Sequence, residues 1–170
     1  MDNLDKNRVI FYIDGFSLYH GMREAFGRKY LWLNIEKLAE NLCKPSEELI
    51  QVNYFTALIQ ENPGKQKRQE TYIEALKTLP KVTIYHGKYS IEKIDCIFCQ
   101  QTFNKWREKM TDVNISVRMI SDAFEDKFDI AKLISGDKDL QSPIKEIVEK
   151  FEQKSVIVCF PPVDLDNQLT

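Results

Sequence analysis

Apolar residues in this chain gather into short continuous runs separated by longer amphipathic stretches, an alternation that predicts interior strands joined by helices. The first run, Val9-Ile10-Phe11-Tyr12-Ile13, is β-branched and aromatic and stops at Asp14-Gly15. It reads as a parallel strand buried on both faces and followed by a turn. Helices are expected over residues 16–26 and 34–42, the second entered through an Asn34 cap with Glu36 in its first turn and closed by Pro45. Residues 50–58 can form a second strand. Asn62-Pro63-Gly64 then precedes a polar helix over 65–79, where Tyr72, Ile73, Leu76 and Leu79 recur at helical spacing and Pro80 is the stop. A third strand is expected at 82–85.

Residues 87–101 carry Cys96-Ile97-Phe98-Cys99 and are less regular. They suggest an insertion on the scaffold, reaching to about residue 107. Between 112 and 126, Val113, Val117, Ile120 and Phe124 fall at i, i+4, i+7 and i+11 and predict one apolar helical stripe. A buried strand at 128–135 ends in Gly136-Asp137, a helix follows at 139–151, and Val156-Ile157-Val158-Cys159-Phe160 is the last strand. Residues 161–170 open with two prolines and are expected to be a surface tail. This order of elements argues an α/β sandwich with a largely parallel sheet, right-handed crossovers and helices on both faces.

At 170 residues, 43% hydrophobic and 29% charged, the chain fits one globular domain and excludes collagenous, low-complexity and wholly disordered classes. No stretch approaches the ~20 apolar residues of a membrane span, and Met1 to Arg8 is too polar to open a secretory signal, so a cytoplasmic address is expected. Twenty-four basic against 26 acidic residues give a net charge of −2. A polyanionic partner must therefore be held by a local basic surface or through metal. Cys43, Cys96, Cys99 and Cys159 are too scattered for a disulfide framework, as in a reducing compartment.

In parallel sheets ligands bind beyond the carboxyl ends of the strands, so the residues that follow strands are the first candidates for chemistry. Asp14 follows the first strand; Asp137, with Asp139 two residues on, follows the run ending at Ser135. Asp112 opens the helix before that strand and can enter the same crevice. Converging carboxylates repel unless a cation holds them, and hard oxygen ligands favour Mg²⁺ or Mn²⁺ over zinc. Taken alone, Asp112 or Asp139 is more simply a helix cap or turn residue.

Four segments in fixed order carry a resemblance: Val9 to Tyr19 around Asp14-Gly15-Phe16-Ser17, Glu108-Lys109-Met110-Thr111-Asp112-Val113, Asp122-Ala123-Phe124-Glu125-Asp126, and Ser135-Gly136-Asp137-Lys138-Asp139-Leu140. With Phe160-Pro161-Pro162 near the end, the chain resembles the NYN domains of the PIN-like nuclease superfamily, which include the LabA and DUF88 proteins. The resemblance implies a PIN-like three-layer α/β/α sandwich and metal-dependent cleavage of RNA by water. It also implies that Asp14, Asp112, Asp137 and Asp139 occupy the family's acidic positions. Two departures stand out. Ser17 replaces the usual Asn, losing an amide donor but keeping a hydroxyl. Arg118 stands where the family commonly has a second acid six residues after the Asp112 position. Facing the site, its guanidinium would oppose a metal or clamp a phosphate; six residues on an ideal helix turn it about 120° away from Asp112, which would place it elsewhere.

Cys96 and Cys99 are half of a four-ligand zinc site or simply free thiols, and spacing selects no completing ligand among His86, Cys43 and Cys159. Basic clusters occur at Lys65, Lys67 and Arg68, at Arg23, Arg28 and Lys29, and at Lys105, Arg107 and Lys109 beside Phe103 and Trp106. The last immediately precedes Asp112 and is the preferred contact for single-stranded RNA; each could instead be a solvated face. The leading expectation is a Mg²⁺- or Mn²⁺-dependent ribonuclease, with a non-cleaving NYN module that binds RNA or a protein partner as the alternative. A homodimer stays open. A phosphatase of the haloacid dehalogenase type needs a second Asp two residues after the first, where Phe16 stands. A pyridine-ring hydroxylase lacks support because no Gly-rich nucleotide fingerprint is present.

Overall fold

The computed structural model describes residues 6–162. Met1 to Asp5 and residues 163–170, the greater part of the expected tail, lie outside the described residues. Five parallel strands form the central sheet: β1 (Asn7–Asp14), β2 (Glu47–Thr56), β3 (Val82–His86), β6 (Ile130–Ile134) and β7 (Ser155–Cys159), in the order β3-β2-β1-β6-β7. β1 is central, and residues Val9 to Asp14 are all buried. Its unbroken apolar run is what a strand covered on both faces requires.

Alternate residues of β1 feed two cores. Val9, Phe11 and Ile13 pack with Leu18 of α1 (Gly15–Phe26), Ile35 and Ala39 of α2 (Ile35–Leu42) and Leu76 of α3 (Pro63–Lys77). Ile10 and Tyr12 face the opposite layer, against Ile115, Met119 and Ala123 of α4 (Thr111–Phe124) and Ile147 of α5 (Gln141–Lys150). Asn34 caps α2 and Asn62 caps α3, each accepting the backbone N–H three residues on at 2.9 Å. Lys132 is buried on the first face of β6, where its ammonium donates to Glu47 at 2.6 Å and to the Leu42 carbonyl at the end of α2 at 2.7 Å.

Two regions depart from the sequence pattern. The segment expected to be an irregular insertion is a regular antiparallel hairpin, β4 (Lys88–Asp95) with β5 (Thr102–Lys109), and Cys96-Ile97-Phe98-Cys99 lies in its turn. The stripe expected to anchor α4 is largely solvent-facing: Val113, Val117 and Phe124 are exposed, whereas Thr111, Ile115, Met119, Asp122 and Ala123 are buried. α4 carries two apolar rows, and the row containing an acid wins because Asp122 meets the Tyr12 hydroxyl at 2.9 Å together with Arg118 and Lys127. Smaller differences occur at the ends. The helix expected from residue 139 begins as a 3-10 turn, Lys138–Leu140, before α5. Pro161 and Pro162, placed in the tail by sequence, lie so close to Gly21 of α1 that a Cβ there would meet them at 2.7 Å. Among the described residues no helix is long and apolar enough to cross a membrane.

Candidate active site

Asp14 ends β1 and caps α1. Its Oδ1 accepts the backbone N–H groups of Phe16 and Ser17 at 3.0 and 3.1 Å, and its Oδ2 accepts the hydroxyls of Ser17 at 2.6 Å and Ser135 at 3.1 Å. Ser17 thus supplies the hydroxyl contact that the sequence leaves it. Gly15 is required because a Cβ would sit 2.6 Å from the Tyr54 hydroxyl and 2.8 Å from the Phe55 carbonyl oxygen. The close approach of α1 to β2 fixes where Asp14 points. Ser135, at the end of β6, also accepts the Asp137 N–H at 3.0 Å, and Asp137 Oδ1 in turn accepts the Asp139 N–H at 2.8 Å. One hydroxyl therefore links the acids that follow neighbouring strands.

Asp112 enters from the first turn of α4. Burial, then the charges of Asp137, Asp14 and Asp139, push its pKa above the ordinary carboxylate value. Asp14, Asp137 and Asp139 are consequently near enough to Asp112 for their charges to act on it. A fifth joins them. Glu108 at the end of β5 is pushed up to about 7, first by burial and then by Asp112 and Asp14, and its buried Oε1 has no hydrogen-bond partner. Glu108 lies within the Glu108 to Val113 motif, yet nothing local marks it as a site residue, because only the hairpin brings it here. Gly87 makes that placement feasible: a Cβ would meet Thr111 Oγ1 at 2.7 Å, the Lys109 carbonyl oxygen at 2.9 Å and Glu108 Oε1 at 3.2 Å.

The donor set is hard oxygen of one sign, with a buried unpartnered carboxylate oxygen among it, and this chemistry fits a divalent cation such as Mg²⁺ or Mn²⁺. Among the described residues no three His, Cys, Asp or Glu side chains are already gathered as a metal-binding group. The acids are close enough to feel one another and are not drawn in to a common point.

Other sequence candidates are engaged elsewhere. Arg118 pairs with Asp122 through Nη2 at 2.8 Å and Nε at 3.0 Å, and its guanidinium lies 5.6 Å from the Tyr85 ring centroid. Of its two sequence readings, the one that turns it away from Asp112 describes this arrangement. In the hairpin, Arg107 pairs with Glu92 at 2.7 Å and Lys105 stands opposite Glu92, so this basic cluster is partly neutralised; Lys109 ends β5 exposed. Cys96 and Cys99 are free thiols at the hairpin turn. The Cys99 backbone N–H, the Cys99 thiol and the Phe98 backbone N–H hydrogen-bond Cys96 and hold its pKa below the usual thiol value.

Acids at the carboxyl edge of a five-stranded parallel sheet, linked through Ser135, place the chain among α/β proteins whose site lies beyond the strand ends. The NYN domain family model matches residues 8–167, nearly the whole chain, and the chain belongs to that family, a branch of the PIN-like nuclease superfamily. A crystal structure of a protein of unknown function from Vibrio parahaemolyticus has the same fold, with a TM-score of 0.60 and 19% identity over 94% of this chain and 85% of that one. No curated protein matches the chain significantly.

Proposed function

We propose that the protein is a metal-dependent ribonuclease that hydrolyses phosphodiester bonds in single-stranded RNA. The observation that carries this reading is the same-sign cluster at the carboxyl edge of the sheet, where burial first and then neighbouring acids push Asp112 and Glu108 upward. Asp14, Asp112, Asp137 and Asp139 would hold the divalent ion. Such an ion supplies an activated water and neutralises charge developing on the phosphodiester. Ser17 and Ser135 fix the Asp14 carboxylate for this purpose. Glu108, with a pKa near neutrality and a free Oε1, can take up or release a proton at the edge of the site.

A second reading, a non-cleaving module that binds RNA or a protein partner, is favoured by one observation: both Asp14 oxygens already accept two hydrogen bonds each, as a purely structural helix cap would. Labelled single-stranded RNA incubated with the protein and Mn²⁺ or Mg²⁺, beside Asp14→Asn and Asp137→Asn controls, separates the readings. The ribonuclease reading expects cleavage by the parent chain alone. Cleavage unchanged in both variants marks a contaminant and removes it; RNA that is retarded but intact supports the binding module.

A further inference from the structure

A cleft with a cavity volume of about 260 Å³ opens beside the acids, bounded by Gly15, the residue after Asp14, and by Tyr89, which pairs across the hairpin with Glu108. None of the five acids lines it; it adjoins the cluster through Gly15 and through Tyr89. Its far wall is the 27–34 connection between α1 and α2, which carries Arg28, Tyr30 and Trp32. This wall is fixed in place: the Tyr72 hydroxyl donates to the Leu33 carbonyl at 2.7 Å, and Trp32 meets the Tyr72 ring edge-on at 6.0 Å. Trp32 is nevertheless 58% exposed and Tyr30 44% exposed, so aromatic faces are presented to solvent on a braced segment. The floor is braced too, by Gln69, whose amide accepts the Ile59 N–H and donates to Thr56 and Ala57.

Four cations, Arg23, Arg28, Lys65 and Arg68, line the same cleft against a single acid, Glu61, and none of the four forms a salt bridge among the described residues. The contrast with Arg107 and Arg118, both paired to acids, is direct. On the near wall, Phe16 and Tyr89 lie almost parallel with centroids 6.5 Å apart, and Tyr89 and Trp106 continue the row at 5.8 Å. Flat apolar faces bordered by unpaired cations match a nucleotide, whose base stacks and whose phosphates need positive charge. A duplex hides those base faces in its own stack, so only an unpaired base can use them.

Resting on the ribonuclease reading for its substrate class, we propose that this cleft is the base-binding subsite of that enzyme. It would hold one unpaired nucleobase next to the scissile phosphate between Trp32 and the Phe16 and Tyr89 rings, with the neighbouring phosphates on Arg23, Arg28, Lys65 and Arg68. Strand selection then comes from this α1 to α3 side of the acids, not from the Lys105 to Lys109 strand.

The test measures binding separately from cleavage. Fluorescein-labelled single-stranded RNA and its duplex are titrated in EDTA by anisotropy, with the parent chain, Trp32→Ala, Trp32→Phe and the double variant Arg28→Ala/Arg68→Ala, each first checked for native melting. Because the chain has two tryptophans, a Trp106→Phe background lets Trp32 fluorescence report the base directly. Expected are quenching of Trp32 by single-stranded RNA, a Kd weakened about tenfold by Trp32→Ala and recovered by Trp32→Phe, a shallower salt dependence in the double-arginine variant, and weaker duplex binding. Equal affinity of parent and Trp32→Ala, or duplex bound as tightly as single strand, overturns the subsite. Failures remain distinguishable: quenching without cleavage under Mn²⁺ overturns the ribonuclease reading and leaves the cleft standing, while cleavage with KM unchanged by Trp32→Ala does the reverse.

Discussion

Charge is handled in two opposite ways in this molecule. Away from the carboxyl edge of the sheet, acids are matched with cations: Glu47 with Lys132 at 2.6 Å, Asp122 with Arg118 at 2.8 Å, and Asp129 with Arg8 at 2.8 Å. At the edge, buried Asp14, half-buried Asp112 and Glu108, and exposed Asp137 and Asp139 lie near one another, and burial first, then the neighbouring acids, push Asp112 and Glu108 upward. Serine hydroxyls and backbone N–H groups orient Asp14 and Asp137 without neutralising them. The difference teaches that the edge acids are held by hydroxyls and backbone N–H groups and not by ion pairs. Charges that hold a fold together are paired within it, whereas an unpaired cluster in a crevice is where a ligand is to be sought.

Removing a charge should therefore have opposite consequences in the two regions. The largest effect is expected from Lys132→Met, which strands Glu47 in the core; denaturant unfolding should show a loss of about 3–5 kcal/mol, partly recovered by adding Glu47→Gln. An undiminished stability would mean that the buried pair is not what balances that site. Asp112→Asn should behave in reverse, melting no lower than the parent while Mn²⁺-dependent RNA cleavage falls at least about 100-fold. A variant that cleaves normally would remove Asp112 from the site.

Glu108→Gln sharpens the contrast through pH. The folded chain keeps the Glu108 proton up to about pH 7, whereas the unfolded chain releases it near 4.5. Between those values the native state binds more protons, so this group lowers stability as pH climbs and its full penalty is present above about 7. Substitution should raise Tm by about 2 °C at pH 8, water in the half-buried site limiting the gain, and should change little at pH 5. A Tm gain that is the same at both pH values would show that Glu108 titrates normally. The smallest effect is expected for Ser17→Ala, which removes one hydroxyl donor to Asp14. A loss of about 0.5 kcal/mol on chemical unfolding is anticipated, with cleavage reduced less than tenfold.

Much of the architecture was legible because the signals were local. An apolar run ending at Asp14-Gly15 names both an interior strand and the acid that follows it, and Asn34 and Asn62 mark helix starts by the N–H groups they accept. Position after a strand also selected Asp137 and Asp139. The α4 face was not legible: Val113, Val117 and Phe124 satisfy helical spacing as well as Ile115, Met119 and Ala123 do, and period alone cannot say which row meets the sheet. Nor does the sequence mark Asp122 as buried, since its burial depends on Tyr12, Arg118 and Lys127 arriving together. The hairpin was missed because its inward positions alternate in a segment rich in charge, and the pairing of Glu92 with Arg107 is visible only once the strands lie side by side.

The order of strands and helices, membership of the PIN-like class and four of the five clustered acids were set by the sequence itself, since each depends on residues adjacent along the chain or on motifs in fixed order. Tertiary structure alone decided that Glu108 joins them, that Arg118 leaves, and that Trp32 and Arg68 share a cleft. Those outcomes depend on elements distant in the chain and on which partner reaches a buried charge first, and no local period encodes either.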